Sequence, residues 1–137
     1  ERETYCVHLL VPAGAAAGGA SVDVEGLCAE ADRYQQARDY VRAERCFQRA
    51  LEASPRHTRL LCNYAYMLHV GKRDFAKAEQ LYRRALQLEP TRTATLCNYA
   101  YLLHSDRRMA EAKQVFQRAQ ESNPQHPWVL KNRSLFM

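Results

Sequence analysis

Apolar residues recur along this chain in two alternating stripes. Leu61, Tyr64, Ala65 and Leu68 are spaced by 3, 1 and 3, which puts them on one face of a helix. Leu96, Tyr99, Ala100 and Leu103 repeat that stripe 35 residues later, within the near-identical segments TRLLCNYAYMLH and TATLCNYAYLLH. A second stripe runs through AERCFQRALEASP, AEQLYRRALQLEP and AKQVFQRAQESNP. It aligns Ala43, Ala78 and Ala112, then Phe47, Tyr82 and Phe116, then Ala50, Ala85 and Ala119. Polar turns, GKRD at 71–74 and SDRR at 105–108, separate one stripe from the other. Pro55, Pro90 and Pro124 stop the second helices, because proline disfavours a helical conformation in the residue before it. Thr58 and Thr93 then offer side-chain oxygens as N-caps for the helices that follow. The spacing predicts stacked helix–turn–helix units, an all-α fold of the α-solenoid type.

These residues carry a family resemblance. The chain resembles tetratricopeptide repeats, 34-residue helix pairs with Leu, a small residue, Ala, an aromatic, Ala and Pro at fixed offsets. In the first repeat the pattern is met by Leu27, Ala31, Tyr34, Ala43, Phe47, Ala50 and Pro55. The second supplies Leu61, Ala65, Leu68, Ala78, Tyr82, Ala85 and Pro90, and the third Leu96, Ala100, Leu103, Ala112, Phe116, Ala119 and Pro124. Repeats are expected at about 24–57, 58–92 and 93–126, with one extra residue in the turn of the second. Residues 127–137 (PWVLKNRSLFM) are expected to form a capping helix over the last apolar face. Residues 1–22 lie outside the repeats and are expected to be flexible or extended. The resemblance implies a right-handed superhelix, acting as a protein-interaction module that receives an extended peptide in its concave groove.

The first helices of such arrays line that groove. Their fifth position is Cys28, Cys62, Cys97 and Lys131, and their sixth is Ala29, Asn63, Asn98 and Asn132. A primary amide has two donors and an acceptor, so Asn63, Asn98 and Asn132 could hold both N–H and C=O of an extended backbone. Asn at this position also serves helix-pair packing, a reading that stays open. Tyr66 and Tyr101 would wall side-chain pockets, the residue type favoured at binding hot spots, although an aromatic stripe can equally be packing. His69 and His104 could bond a ligand or titrate near neutrality, against the alternative of ordinary solvated histidines. The carboxylate clamp for heat-shock chaperone tails matches at one of five positions, Asn63. Cys28, Asp32, Ala94 and Asn98 fill the others, so such tails are expected to be excluded.

Composition narrows the class. The 137 residues carry a net charge of +5, with 47% apolar and 26% charged residues, an ordinary globular mixture. No apolar run is long enough to span a membrane. The five cysteines include no CxxC pair, which points to free thiols in a cytoplasmic or other reducing compartment. Cys62 and His69 lie seven residues apart, about 10 Å along a helix. One zinc ion, with ligand distances of about 2.0–2.3 Å, could not take both. GAAAGGAS at 14–21 has the outline of a phosphate loop but holds Ala20 at the lysine position, and reads as a linker. No nucleophile–base set or dinucleotide fingerprint is present, so neither catalysis nor a cofactor is expected. Arg42, Arg45, Arg49, Lys77, Arg83, Arg84, Lys113 and Arg118 fall on second helices and make the outer face basic. Contact there with RNA or an acidic protein is one alternative function, with nucleic acid disfavoured. Self-assembly of a structural segment is the other, through the terminal helix or through residues 1–22 seated in a groove.

Overall fold

The computed structural model describes residues 22–136, so the expectations for residues 1–21 and for Met137 lie outside the described residues. Three antiparallel helix pairs follow one another: α1 (Val24–Gln36) with α2 (Tyr40–Ala53), α3 (Thr58–Tyr66) with α4 (Phe75–Leu88), and α5 (Thr93–Ser105) with α6 (Met109–Ser122). Each pair packs on the next, and no strand occurs among the described residues. This is the predicted α-solenoid. Its core alternates small and large residues, with Ala43, Ala78 and Ala112 fully buried beside Phe47, Tyr82 and Phe116. Each alanine lets two helix backbones approach, and each ring fills the space beside it.

Helix ends follow local chemistry. Asp23, Asp39 and Asp74 cap α1, α2 and α4 by accepting from the backbone N–H of Gly26, Arg42 and Lys77. The helices before the prolines end at Ala53, Leu88 and Ser122, as the sequence predicts. Thr58 and Thr93 are not the caps. They are the first helical residues, preceded by His57 and Arg92. The imidazole Nδ1 of His57 accepts from Leu60 N–H at 3.1 Å and takes over the threonine's expected task. Each turn inside a pair contains one arginine in the left-handed region: Arg38 (φ 63°), Arg73 (φ 55°) and Arg107 (φ 62°).

The extra residue of the second repeat is not in the turn. It is absorbed inside the helix, where α3 continues as a wider π-helical turn over Met67–Lys72. Arg73 then holds the place in its turn that Arg38 and Arg107 hold in theirs. Gly71 within this turn meets the ring of Tyr40, where a Cβ would lie 2.5 Å from a ring carbon. The C-terminal cap also departs from expectation. Instead of one helix it breaks at Asn132 into α7 (Pro127–Lys131) and α8 (Arg133–Phe136). The break swings Phe136 back to stack on Phe116 at 4.8 Å, with Trp128 at 5.8 Å, closing the last apolar face.

One polar cluster is built twice, 35 residues apart. Glu44 on α2 accepts from Tyr64 O–H on α3 at 2.6 Å and from Lys72 and Lys77 at 2.6 and 2.8 Å. Glu79 on α4 accepts from Tyr99 O–H on α5 at 2.6 Å and from Arg83 and Arg108. Burial pushes the Glu44 carboxyl up, but the bonds from Lys72, Lys77 and Tyr64 outweigh it and bring it down to about 2. Glu79 reaches about 2 chiefly through Arg108. Both folded values lie below the ordinary 4.5, so their contribution is complete above that pH and is lost as pH falls towards 2. Replacing Tyr99 with Phe should cost about 1–2 kcal/mol at pH 7 by removing the hydroxyl's bond to Glu79 and the one it accepts from Arg83. Thermal unfolding followed by circular dichroism checks this, and an unchanged midpoint would show that solvent replaces the bond at no cost.

Candidate functional site

The first helices α1, α3 and α5, with the cap behind them, form the inner face. The structure places the predicted residues on it unevenly. Residues 60 to 69 of α3 and its π-turn are all buried, an unbroken run covering every side of the helix. Asn63 and Asn98 are therefore enclosed, at 1% and 0% exposure. Asn98 Nδ2 donates to Cys62 Sγ of the preceding repeat at 3.5 Å, a contact between repeats. Asn63 Oδ1 has no hydrogen-bond partner among the described residues. Asn132 leaves the column altogether: it sits at the break after α7 and donates to Trp128 C=O at 2.9 Å.

Tyr66 and His69 are also fully buried, whereas Tyr101 and His104 remain partly exposed. The His69 ring meets Tyr101 at 4.8 Å, Phe75 at 5.4 Å and Tyr66 at 6.4 Å, each edge-on. Ser105 O–H is spent on the C=O of Tyr101, so its oxygen accepts from His69 at 3.0 Å, and His69 carries its proton on Nε2. Burial, reinforced by the Arg73 charge, lowers His69 to about 4. It is neutral across physiological pH and cannot titrate near neutrality as one sequence reading allowed. Desolvation raises the Cys28 thiol to about 11 and Cys97 to about 12, so neither is a nucleophile. Cys28, Cys46 and Cys97 are free, but Cys62 is disulfide-bonded, so the expectation of free thiols fails at that position.

Sequence models described as tetratricopeptide repeat match residues 28–92 and 69–131. Together they cover residues 28–131, which include parts or all of the three helix pairs. The chain belongs to the tetratricopeptide repeat family. Among curated proteins none matches it significantly. Solved structures do. The first tetratricopeptide domain of Spaghetti (RPAP3), bound to an HSP90 peptide, is 21% identical with a TM-score of 0.74, covering 86% of this chain and 95% of that one. The second such domain of human RPAP3, in complex with an HSP70 peptide, is 18% identical with a TM-score of 0.69, covering 82% and 97%. The Yersinia enterocolitica secretion chaperone SycD, with a peptide of the translocator YopD, is 18% identical with a TM-score of 0.73, covering 85% and 88%. At such identities the likeness is one of fold.

The open part of this tetratricopeptide surface is a cavity of about 630 Å³ lined by Arg73, Tyr101, His104, Ser105, Arg107 and Met109. Tyr101 and His104 were legible from their positions. Arg73 and Arg107 were not, because their left-handed turns bring together two arginines 34 residues apart and no side-chain pattern announces that. On the outer face Arg84 and Arg118 donate to Pro55 C=O and Pro90 C=O of the preceding repeat, which occupies part of the basic surface internally. No helix among the described residues is long and apolar enough to cross a membrane.

His69 also sets a pH response. Its folded value lies below the unfolded 6.5, so the unfolded chain binds the proton first and stability falls from pH 6.5 to about 4. Over that window His69 should account for roughly 3 kcal/mol, which His69→Phe would abolish. Urea unfolding of both proteins at pH 7 and pH 4 measures the difference. A gap under about 1 kcal/mol would mean that the imidazole is not held neutral.

Proposed function

We propose that this protein is an interaction module that captures an extended peptide segment of a partner along its inner face. The observation that carries the reading is the cavity lined by Tyr101, His104, Arg73 and Arg107. An aromatic wall and an imidazole stand there beside two guanidinium groups, suited to an acidic side chain or a terminal carboxylate next to an apolar one. Support also comes from the RPAP3 and SycD domains, which carry bound peptides on the same fold. Asn63 and Asn98 would contribute backbone contacts only where a bound peptide opens the enclosed stretch around them, with Asn132 flanking the far end. Tyr66 and His69 would act through Tyr101, holding its ring in place.

The argument from the sequence against heat-shock chaperone tails gains no support, since two of the similar domains hold HSP90 and HSP70 peptides. The two arginines favour acidic tails rather than exclude them. End-to-end self-assembly is favoured by a separate observation, the 44% exposure of both Leu130 and Leu135 at the C-terminal edge. Light scattering over a range of concentrations would separate it, since mass rises with concentration only if copies stack.

Selection from a peptide library that includes acidic C-terminal tails tests the main reading. The reduced chain should enrich peptides with micromolar affinity, about −8 kcal/mol. Tyr101→Ala/Arg107→Ala should weaken them about tenfold or more, and Asn63→Ala/Asn98→Ala should do the same if the amides grip the backbone. Circular dichroism must find both variants still helical. Peptides enriched equally by the double variants would sink the inner-face reading.

A further inference from the structure

We infer that the turns inside the three helix pairs carry a ladder of arginines, Arg38, Arg73 and Arg107, that grips an extended peptide with an acidic side chain at every third position. This deepens the peptide-binding reading of the preceding section and rests on it. The backbone is the first observation. Each of the three residues lies in the left-handed region, at φ 63°, 55° and 62°. Glycine and asparagine enter that region most readily, and a long side chain there is strained. The strain recurs at the same place in three successive repeats, and each time it leaves an arginine exposed.

The second observation is charge. The carboxylates beside these arginines are already engaged. Asp39 and Asp74 cap α2 and α4, Asp39 also pairs with Arg42 at 3.4 Å, and Asp106 pairs with Arg108 at 3.6 Å. Lys72 and Arg108, the other cations of these turns, are held by Glu44 and Glu79. Arg38, Arg73 and Arg107 make no ion pair among the described residues. Arg73 lies over the Phe75 ring at 4.9 Å, which fixes its place on the edge. A guanidinium presents its donors in a rigid fork that matches a carboxylate.

Spacing selects the ligand. α3 packs on α5, and Arg59 bridges α3 to α1 through Glu25 at 2.9 Å. Packed helices stand about 8–10 Å apart, which sets the interval between rungs. A polyproline-type strand repeats about every three residues and rises about 3.1 Å per residue. Every third side chain therefore points the same way about 9 Å further on, so acidic residues at that interval meet successive rungs. Between Arg73 and Arg107 the partly exposed Tyr101 and His104 offer a seat for an intervening proline, since such strands dock on aromatic-lined surfaces. Between Arg38 and Arg73 the equivalent Tyr66 and His69 are buried, and that interval offers charge alone. A nucleic-acid strand in a duplex sets its phosphates about 3.4 Å apart along the axis, too close for these rungs.

Two fluorescent peptides of one composition test this on the full chain, Glu-Pro-Pro-Glu-Pro-Pro-Glu and Glu-Glu-Glu-Pro-Pro-Pro-Pro, with binding read by anisotropy at low salt. The periodic peptide should bind at least about fivefold tighter than the block peptide. Arg38→Asn/Arg73→Asn/Arg107→Asn should weaken it about tenfold or more, since each exposed ion pair contributes up to about fivefold. Asparagine tolerates the left-handed turns, so circular dichroism should find this variant as helical as the parent. Arg45→Gln/Arg49→Gln/Lys113→Gln removes the same charge from exposed positions on the outer face and should change binding less than about twofold. Equal affinity for the two peptides, undetectable binding, an equal loss in both variants or a loss of helicity in the first would each overturn the proposal. Tighter binding of oligouridylate through the same three arginines would assign the ladder to nucleic acid and overturn it too. An Arg38→Asn chain that binds as the parent does, while Tyr101→Ala abolishes binding, would remove the ladder and leave capture in the cavity standing. Failure of library selection, with the periodic peptide still held by the three arginines, would count against inner-face capture alone.

Discussion

Between Leu60 and His69 the first helix of the second repeat has no side left to water, and the surrounding structure is organised by the need to give that surface partners. A helix buried all round presents no face to water, so its apolar stripe alone does not fix its orientation. Orientation comes from its neighbours. Ala43 and Ala78 open the approach on the two second helices, and Phe47 stacks on Tyr64 at 5.3 Å. The π-turn over Met67–Lys72 then carries the chain to the turn at Arg73. One added residue is accommodated without breaking the stack, because the wider turn shifts only what lies on its own helix.

Polar groups set the spacing between repeats. Glu44 with Tyr64 and Glu79 with Tyr99 join the second helix of one repeat to the first helix of the next at 2.6 Å in both cases. The carboxylates are mostly enclosed, and each is held by two cations as well as a phenol, which compensates the desolvation. No third copy can form at the C-terminal junction, where Lys113 and Arg133 stand at the corresponding places. An aromatic cluster of Phe116, Trp128 and Phe136 ends the array there instead. A directional bond gives way to an apolar seal at the point where no further repeat needs to be registered.

The same geometry divides the inner face into two parts with different chemistry. Around Cys62 and His69 it is enclosed and uncharged, with the imidazole held neutral and the neighbouring Cys97 held as a thiol. Around Tyr101 and His104 it is open and flanked by guanidinium groups from two successive turns. An extended ligand lying along both would meet backbone acceptors and aromatic walls first and positive charge last.

Repeat number, helix pairs, proline stops and the all-α class were readable from the chain because each is a local or periodic property repeated three times. The alanine and aromatic columns named the core for the same reason. Side-chain exposure was not readable. Asn63 and Asn98 share a column with groove residues, but which side of a helix meets water depends on how far neighbouring repeats rotate and on what lies over them. Thr58 looked like a cap, and His57 holds that place because the helix begins one residue later than composition suggests. The single capping helix became two because Asn132 turns its amide back to Trp128 and Phe136 gains a ring to stack on. Sequence by itself determined what repeats and with which period. Tertiary structure alone decided which residues come together across repeats, since the sharing of one cavity by Arg73 and Arg107, or the contact of Cys62 with Asn98, is set by a superhelical stagger that no single repeat encodes.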